Sequence, residues 1–266
     1  MKDVLRMLAK VLALLKKLVQ AGARLLFGTR QGLIAIAAVA VLSIGLWWWQ
    51  TSLVVTRIEV VGARYAHPDT LRQMMRLPHR TPLHDVNVAQ AARYVEQHPW
   101  VRDATVYKQP TDQALELVVR ERRPVALVLG PDRTPAFYVD TSGVALPLRP
   151  APVPNVPLLR GVPTDGTPPA VPAPVQRALR ALADTGTLAL MAELVVRDEG
   201  LWGYTQPVAA YGSIPIQVGD PPYRQKMKRL YSFWTQVLQA PPASPTIGYV
   251  DLRFNGQVIT QARPPR

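Results

Sequence analysis

The sequence contains no cysteine among its 266 residues. Disulfide frameworks, zinc–thiolate sites and cysteine nucleophiles are therefore excluded. Histidine is also scarce, because the chain has four and all of them lie between residues 67 and 98. Any serine–histidine site in the later part of the chain would therefore need residues that are far apart in the sequence.

The remaining candidates for chemistry are weak. His79, His84 and Asp85 could be read as metal ligands, but they flank a proline-containing stretch and lack the helical spacing of a ligand pair, which favours solvated polar residues. Ser213 lies in Tyr-Gly-Ser-Ile-Pro, which lacks the second glycine of a nucleophile elbow. We find no phosphate-binding loop and no dinucleotide fingerprint. The sequence predicts no enzyme, no cofactor, no metal and no small-molecule substrate.

Negative charge is under-represented, with 18 acidic residues against 31 basic ones and a net charge of +13. Seven basic residues and one acidic residue fall within residues 1–30, a net charge of +6 for that segment. The basic stretches 120–123 and 224–229 are interleaved with acids or follow helical periodicity, which is typical of solvated faces. We therefore expect no nucleic acid as a partner, while contact with anionic lipid or an acidic wall polymer stays open.

Residues 32–49 contain no charge, and as a helix they would extend about 27 Å, close to the hydrocarbon thickness of a bilayer. We predict a transmembrane helix at 31–51 rather than a buried soluble helix. A cleaved signal peptide is disfavoured because Trp47–Trp49 occupies the place of small cleavage-site residues. The positive segment before the span predicts a cytoplasmic N-terminus, with the bulk of the chain outside.

The first thirty residues have apolar positions near helical spacing and basic residues on another side. This pattern predicts a cytoplasmic amphipathic segment at 1–30 that lies on an anionic inner leaflet. The alternative is a topology signal whose helical pattern is incidental.

Residues 52–123 predict a first exported domain with the order strand, helix, helix, strand, strand. Alternating residues in 56–62 and 115–120 indicate half-buried strands. His67-Pro68-Asp69 and Asn87 are typical of helix starts. Such an order predicts a three-stranded sheet covered on one side by two helices, and hence an α+β fold.

Residues 124–261 predict a second, mainly antiparallel β domain, followed by a short tail at 262–266. The stretch 147–174 contains ten prolines and is predicted to be a long loop. Periodicity predicts a C-terminal amphipathic helix at 223–238. Alternation in 249–254, then Asn255-Gly256, predicts a terminal hairpin that returns along 257–261.

The sequence is similar to a known family on several motifs. The motifs are Val61-Gly62, His98-Pro99-Trp100-Val101, the run from Val119 to Ala126 (VRERRPVA), Leu158-Leu159-Arg160-Gly161, and Val250-Asp251-Leu252-Arg253-Phe254. The first part resembles a POTRA domain, and the whole resembles the FtsQ/DivIB family of bacterial cell-division proteins. Phe254 stands where the family usually has tyrosine.

The resemblance implies a scaffold of the bacterial division complex, located in the cell inner membrane at the septum. Its implied partners are FtsB- and FtsL-like division proteins, and its implied role is to help assemble and regulate septal wall synthesis. The alternative function is a POTRA-type adaptor or chaperone for secretion or membrane-protein assembly. An anchored wall hydrolase lacks residues for the chemistry.

The last strand of the predicted hairpin has no later strand to cover it, so an extended partner segment could pair with its backbone. The predicted partner-binding residues are Arg253, Phe254, Gly256, Gln257, Val258 and Ile259. The competing interpretation is that Phe254 and Ile259 fill the hydrophobic core instead.

Overall fold

The computed structural model describes residues 30–148, 152–166, 169–208, 211–239 and 247–262. The chain divides into two compact units. The first comprises the chain up to Ala63 together with His67–His98 and Asp103–Arg120, and the second comprises Arg64–Ala66, Pro99–Arg102 and the chain from Glu121 onward. The domain limits expected at 52, 124 and 262 stay predictions.

A long helix, α1, covers Arg30–Ser52. Its side chains are described for residues 34–48, and nearly all of them are exposed. Within the part of the chain that the structure describes, no helix is both long enough and apolar enough to span a membrane. The transmembrane span predicted at 31–51 is thus not confirmed. Residues 1–29, which carry the predicted amphipathic segment, lie outside the described residues.

The first unit is built around a three-stranded sheet with two helices. Its elements are β1 (Arg57–Val61), α2 (Pro68–Met74), α3 (Val88–Val95), β2 (Val101–Gln109) and β3 (Ala114–Glu121). The spatial order of the strands is β1-β3-β2, and β1 runs parallel to β3. The element order is the one that the sequence predicts.

Both helices of the first unit begin where the sequence predicts. The His67 side chain accepts a hydrogen bond from the Asp69 N–H, and the Asn87 side chain accepts one from the Gln90 N–H. These caps satisfy backbone donors that have no partner inside a helix. Each helix then buries its apolar side, with Leu71 on α2 and Val95 on α3 fully enclosed.

The second unit contains a nine-stranded sheet and two helices. The strands are β4 (Pro124–Leu129), β5 (Pro135–Asp140), β6 (Ala145–Leu146), β7 (Leu158–Arg160), β8 (Met191–Arg197), β9 (Gly200–Thr205), β10 (Pro215–Gly219), β11 (Ile247–Asp251) and β12 (Ile259–Ala262). Their spatial order is β12-β11-β10-β9-β8-β7-β4-β5-β6. Neighbouring strands are parallel in the pairs β10/β11, β7/β8 and β4/β7, and antiparallel in the others. The sheet is therefore mixed, with antiparallel pairs in the majority.

The sequence predicts that the whole proline-rich stretch, residues 147–174, is a loop. This prediction is wrong for residues 158–160, because they form β7. Leu158 to Arg160 pair in parallel with β8 on one side, and Leu158 and Leu159 pair with β4 on the other. The Pro157 carbonyl also accepts a hydrogen bond of 2.9 Å from the Leu127 N–H. Since proline lacks only the donor, its carbonyl can still join the sheet at the strand's entrance.

The core of the second unit is one hydrophobic cluster. Alternate strand residues such as Leu159 and Ile216 meet the apolar sides of α4 (Ala173–Asp184) and α5 (Tyr223–Phe233) in this cluster. A π-helical turn, Trp234–Leu238, continues α5 and confirms the predicted amphipathic helix. The predicted terminal hairpin is present and turns at Asn255-Gly256. The predicted strand limits are wrong, because β11 ends at Asp251 and β12 begins at Ile259, so a loop of residues 252–258 joins them.

Candidate functional site

The six predicted partner-binding residues lie together on the last hairpin. Arg253, Phe254, Gly256 and Gln257 are on the loop between β11 and β12, Val258 ends that loop and Ile259 begins β12. Phe254 is 48% exposed and Ile259 is 40% exposed, so neither side chain fills the core. Val258 alone packs partly against the hydrophobic cluster.

Strand β12 is an edge of the nine-stranded sheet. It is the terminal strand in the spatial order, and all four of its residues are exposed. Among the described residues, no strand pairs with the side of β12 that faces away from β11. Its backbone groups on that side are therefore available to an extended segment.

The hydrogen-bond pattern shows which β12 residue points to the free side. The Leu252 N–H donates to the Gln217 carbonyl at 2.9 Å, so Leu252 faces β10. Backbone direction alternates along a strand, so Asp251 faces β12, where it pairs with Ile259. The next residue, Thr260, must then turn its N–H and carbonyl away from β11.

The loop of the hairpin is held by a side chain from α5. The Arg229 guanidinium donates to the Phe254 carbonyl at 2.8 Å and to the Gln257 carbonyl at 3.2 Å. Gly256 adopts a φ of 73°, a left-handed conformation that suits glycine. The loop is therefore fixed to the helix beside it.

A buried polar cluster supports the start of the loop. The Asp251 carboxylate, 5% exposed, accepts hydrogen bonds from the Arg253 guanidinium at 2.8 Å and from the Arg253 N–H at 2.9 Å. The Tyr249 hydroxyl contacts the same carboxylate at 3.4 Å and donates to the Gln217 side chain. These contacts orient Arg253 at the base of the exposed loop.

Burial raises the pKa of the Asp251 carboxyl, but the hydrogen bonds from the Arg253 side chain and N–H outweigh it and hold that pKa below its usual value. Burial, followed by the charge of Asp251, raises the pKa of the Tyr249 hydroxyl. Asp251 is thus an anion and Tyr249 a neutral donor at neutral pH. In the central pair of this cluster, the positive charge of Arg253 offsets the negative charge of Asp251.

We expect acid to loosen the hairpin through Asp251. Because the carboxyl pKa is lower in the folded state, its stabilising contribution is complete above the unfolded value of about 3.9 and is lost as the pH falls through the folded pKa. Hydrogen exchange of residues 247–262 should therefore accelerate as the pH is lowered below about 4, after correction for intrinsic exchange. Asp251→Asn should exchange faster at neutral pH and show a weaker acid dependence. Equal acid dependence in both proteins would contradict this role.

The sequence predicted the exposed residues of this candidate site but not the residues that support them. Gln217, Arg229 and Tyr249 contribute through contacts that join distant parts of the chain. The only local signal was the spacing of Asp251 and Arg253, which allows the carboxylate to bond to both the backbone and the side chain two residues later.

Ser213 and His84, the candidates for a catalytic or metal-binding role, have other partners. The Ser213 hydroxyl donates to the Thr205 carbonyl at 2.8 Å, and His84 lies beside Asp85 at 3.3 Å. Over the described ranges, no group of three or more His, Asp or Glu side chains is arranged to hold a metal ion.

Comparison with known proteins adds three findings. A family model described as "POTRA domain, FtsQ-type" matches residues 53–122. A cell division protein FtsQ from Salinibacter ruber is 37% identical over 235 residues, covering 86% of this chain and 90% of that protein. A cell division protein FtsQ from Rhodothermus marinus is also 37% identical, over 220 residues that cover 81% of this chain and 80% of that protein.

Proposed function

Because this chain belongs to the FtsQ family and acts in cell division, we propose that it is a non-catalytic scaffold of the division complex. It binds other single-pass division proteins of the FtsB and FtsL type and so helps to assemble and regulate septal wall synthesis. Its main partner-binding site is the hairpin that ends in β12, and the partner adds an extended strand to that edge.

The observation that carries this proposal is the open edge of β12. Thr260 directs its backbone N–H and carbonyl away from β11, as the register of the hairpin requires. The strand reads Ile-Thr-Gln-Ala and has neither lysine nor proline, the residues that commonly prevent an edge from pairing. An extended segment therefore meets the free N–H and carbonyl of Thr260 on a strand without lysine or proline.

The loop next to β12 adds side-chain contacts to the backbone pairing. Phe254 offers a half-exposed ring, and Arg253 offers a side chain that is 48% exposed. Both are held in place, Arg253 by Asp251 and the Phe254 carbonyl by Arg229. A preordered contact surface loses less entropy when a partner binds.

We also propose that α1 anchors the protein in the inner membrane, with the N-terminus in the cytoplasm and the bulk of the chain outside. Apolar side chains are exposed on α1, among them Ile34, Val41, Leu42 and Ile44. Large apolar side chains that are exposed along a helix favour a nonpolar surrounding. The positive charge of residues 1–30 favours retention of that end in the cytoplasm.

Site-specific photo-crosslinking in dividing cells tests the partner site. A photoreactive residue at Thr260 should form an adduct with a single-pass division protein, because the added strand would lie directly beside it. The matched position is Thr105, an exposed residue on β2 at the edge of the other sheet. Adducts with secretion or assembly substrates at Thr105, and none at Thr260, would favour the adaptor function and contradict the scaffold.

A further inference from the structure

We name residues 76–81, a short basic loop between α2 and α3, the exit loop, because backbone hydrogen bonds join it and the residues that follow it to the segment where the chain leaves α1. The Leu83 N–H donates to the Leu53 carbonyl at 2.7 Å, and the Val55 N–H donates to the Thr81 carbonyl at 2.9 Å. Val54 also forms an antiparallel bridge with Pro82. Since α1 ends at Ser52, these bonds hold the exit loop next to the end of α1.

The surroundings of the exit loop carry mainly positive charge, with Asp69 and Asp85 on either side of the basic stretch. Residues 70–84 contain three arginines and two histidines and no acidic residue. Arg72 is paired with Asp69 at 2.5 Å, and Arg76 lies over the Tyr94 ring at 4.7 Å. Over the described ranges, Arg80 has no ion-pair or hydrogen-bond partner for its guanidinium, and it is exposed.

The backbone of Arg80 has an unusual conformation, with a positive φ. Arg80 has a φ of 61° and Arg76 has a φ of 52°, a region that side chains other than glycine rarely adopt. Such strain at an exposed position points to a function for the side chain that a glycine would not provide. Here the strained turn carries His79 and Arg80 at its tip.

The end of α1 carries groups suited to a lipid headgroup region. Trp47 is 60% exposed and Trp48 is 70% exposed. Indole rings are favoured at the membrane–water boundary, and a guanidinium binds phosphate through paired hydrogen bonds. Aromatic rings and an arginine therefore occur at the same end of the helix.

We propose that the exit loop binds the phosphate of an anionic phospholipid headgroup, with Arg80 as the main contact and His79 beside it. This proposal rests on the membrane anchoring proposed for α1. The contact would hold one end of the three-stranded sheet at the bilayer surface, because β1 begins at Arg57, directly after the residues that pair with the exit loop.

Depth measurement with a single fluorescent label tests the proposal. The chain has no cysteine, so Pro78→Cys and Gln97→Cys each create one labelling site in the full-length protein. The protein is placed in nanodiscs containing phosphatidylglycerol and a lipid with a spin-labelled headgroup, which quenches nearby fluorophores.

Gln97 serves as the distant control. The Thr56 N–H donates to the Gln113 carbonyl at 2.8 Å, so the turn after β2 lies at the α1 end of the sheet. Gln97 precedes the opposite end of β2, which is nine residues long and thus extends about 26 Å. We expect strong quenching at position 78 and weak quenching at position 97.

Two substitutions at Arg80 separate charge from backbone shape. Arg80→Gly removes the cation and accepts the positive φ, and it should reduce headgroup association of the exit loop about five-fold. Arg80→Lys keeps the charge and should retain most of the quenching. Nanodiscs of phosphatidylcholine alone should behave like Arg80→Gly.

Inorganic phosphate, added at constant ionic strength, distinguishes lipid from a soluble anion. Unchanged quenching supports the headgroup as ligand, whereas loss of quenching would overturn it. Incorporated protein with equal quenching at positions 78 and 97 would contradict the exit-loop contact and leave the anchor intact. Failure of the protein to enter nanodiscs at all would overturn the anchor, and the lipid contact with it.

Discussion

Replacing Thr260 by proline is expected to abolish capture of the proposed FtsB-type partner while the thermal transition stays within a few degrees of the parent. The register of β11 and β12 turns the Thr260 N–H to the free side, so its loss removes a donor that only a partner can use. Proline is tolerated on an edge strand when the missing N–H faces solvent. Partner capture and melting temperature are measured on the same full-length protein in detergent.

Two control variants sharpen this experiment. Thr260→Ala keeps the N–H and should retain partner capture, which separates the backbone from the side chain. Gln261→Pro removes an N–H that faces β11, where Gln261 pairs with Tyr249, and should weaken the hairpin itself. Normal capture by a folded Thr260→Pro protein would rule out strand addition at β12.

The largest effect on stability is expected from Leu159→Ala in β7. Leu159 is fully buried in the core of the second unit, so its truncation should cost about 2–5 kcal/mol. A loss of about 3 kcal/mol corresponds to a decrease in Tm of roughly 6–12 °C for a domain of this size. Thermal unfolding of the purified protein measures it.

Leu158→Ala is the matched control for Leu159→Ala. The neighbouring side chain is 36% exposed on the other face of the same strand, so its truncation should change stability much less. If residues 158–160 formed a loop, both substitutions would have similar small effects. Equal destabilisation by the two would therefore contradict the placement of β7 in the sheet.

The order of helices and strands in the first unit could be predicted from the sequence, because these elements carry local signals. Alternating residues mark β3, and the caps at His67 and Asn87 mark where two helices begin. Strand β7 carries no such signal. Three residues are too few to show alternation, and the prolines around them favour a loop. Its pairing depends on β4 and β8, which lie far from it in the sequence.

The candidate site shows the same division between local and distant information. The sequence predicts an exposed edge at the terminal hairpin, and the structure puts β12 at the edge of the sheet. The support beneath the loop could not be read from the sequence. Arg229 reaches Phe254 across 25 residues, and Tyr249 reaches Gln217 across 32 residues. Contacts of that separation are decided by packing rather than by local pattern.

The strand order also determines when each edge exists during synthesis of the chain. Strand β7 lies between β4 and β8, so the β4 edge stays open until residues 158–160 have emerged, and the far side of β7 stays open until β8 follows. Such temporary edges are where newly made chains aggregate. Strand β12 is the last strand of the sheet to be made, and it completes its hairpin only when the other eight strands already exist. An incomplete chain therefore lacks the β12 edge, and the proposed docking of a partner at that edge would have to follow completion of the sheet.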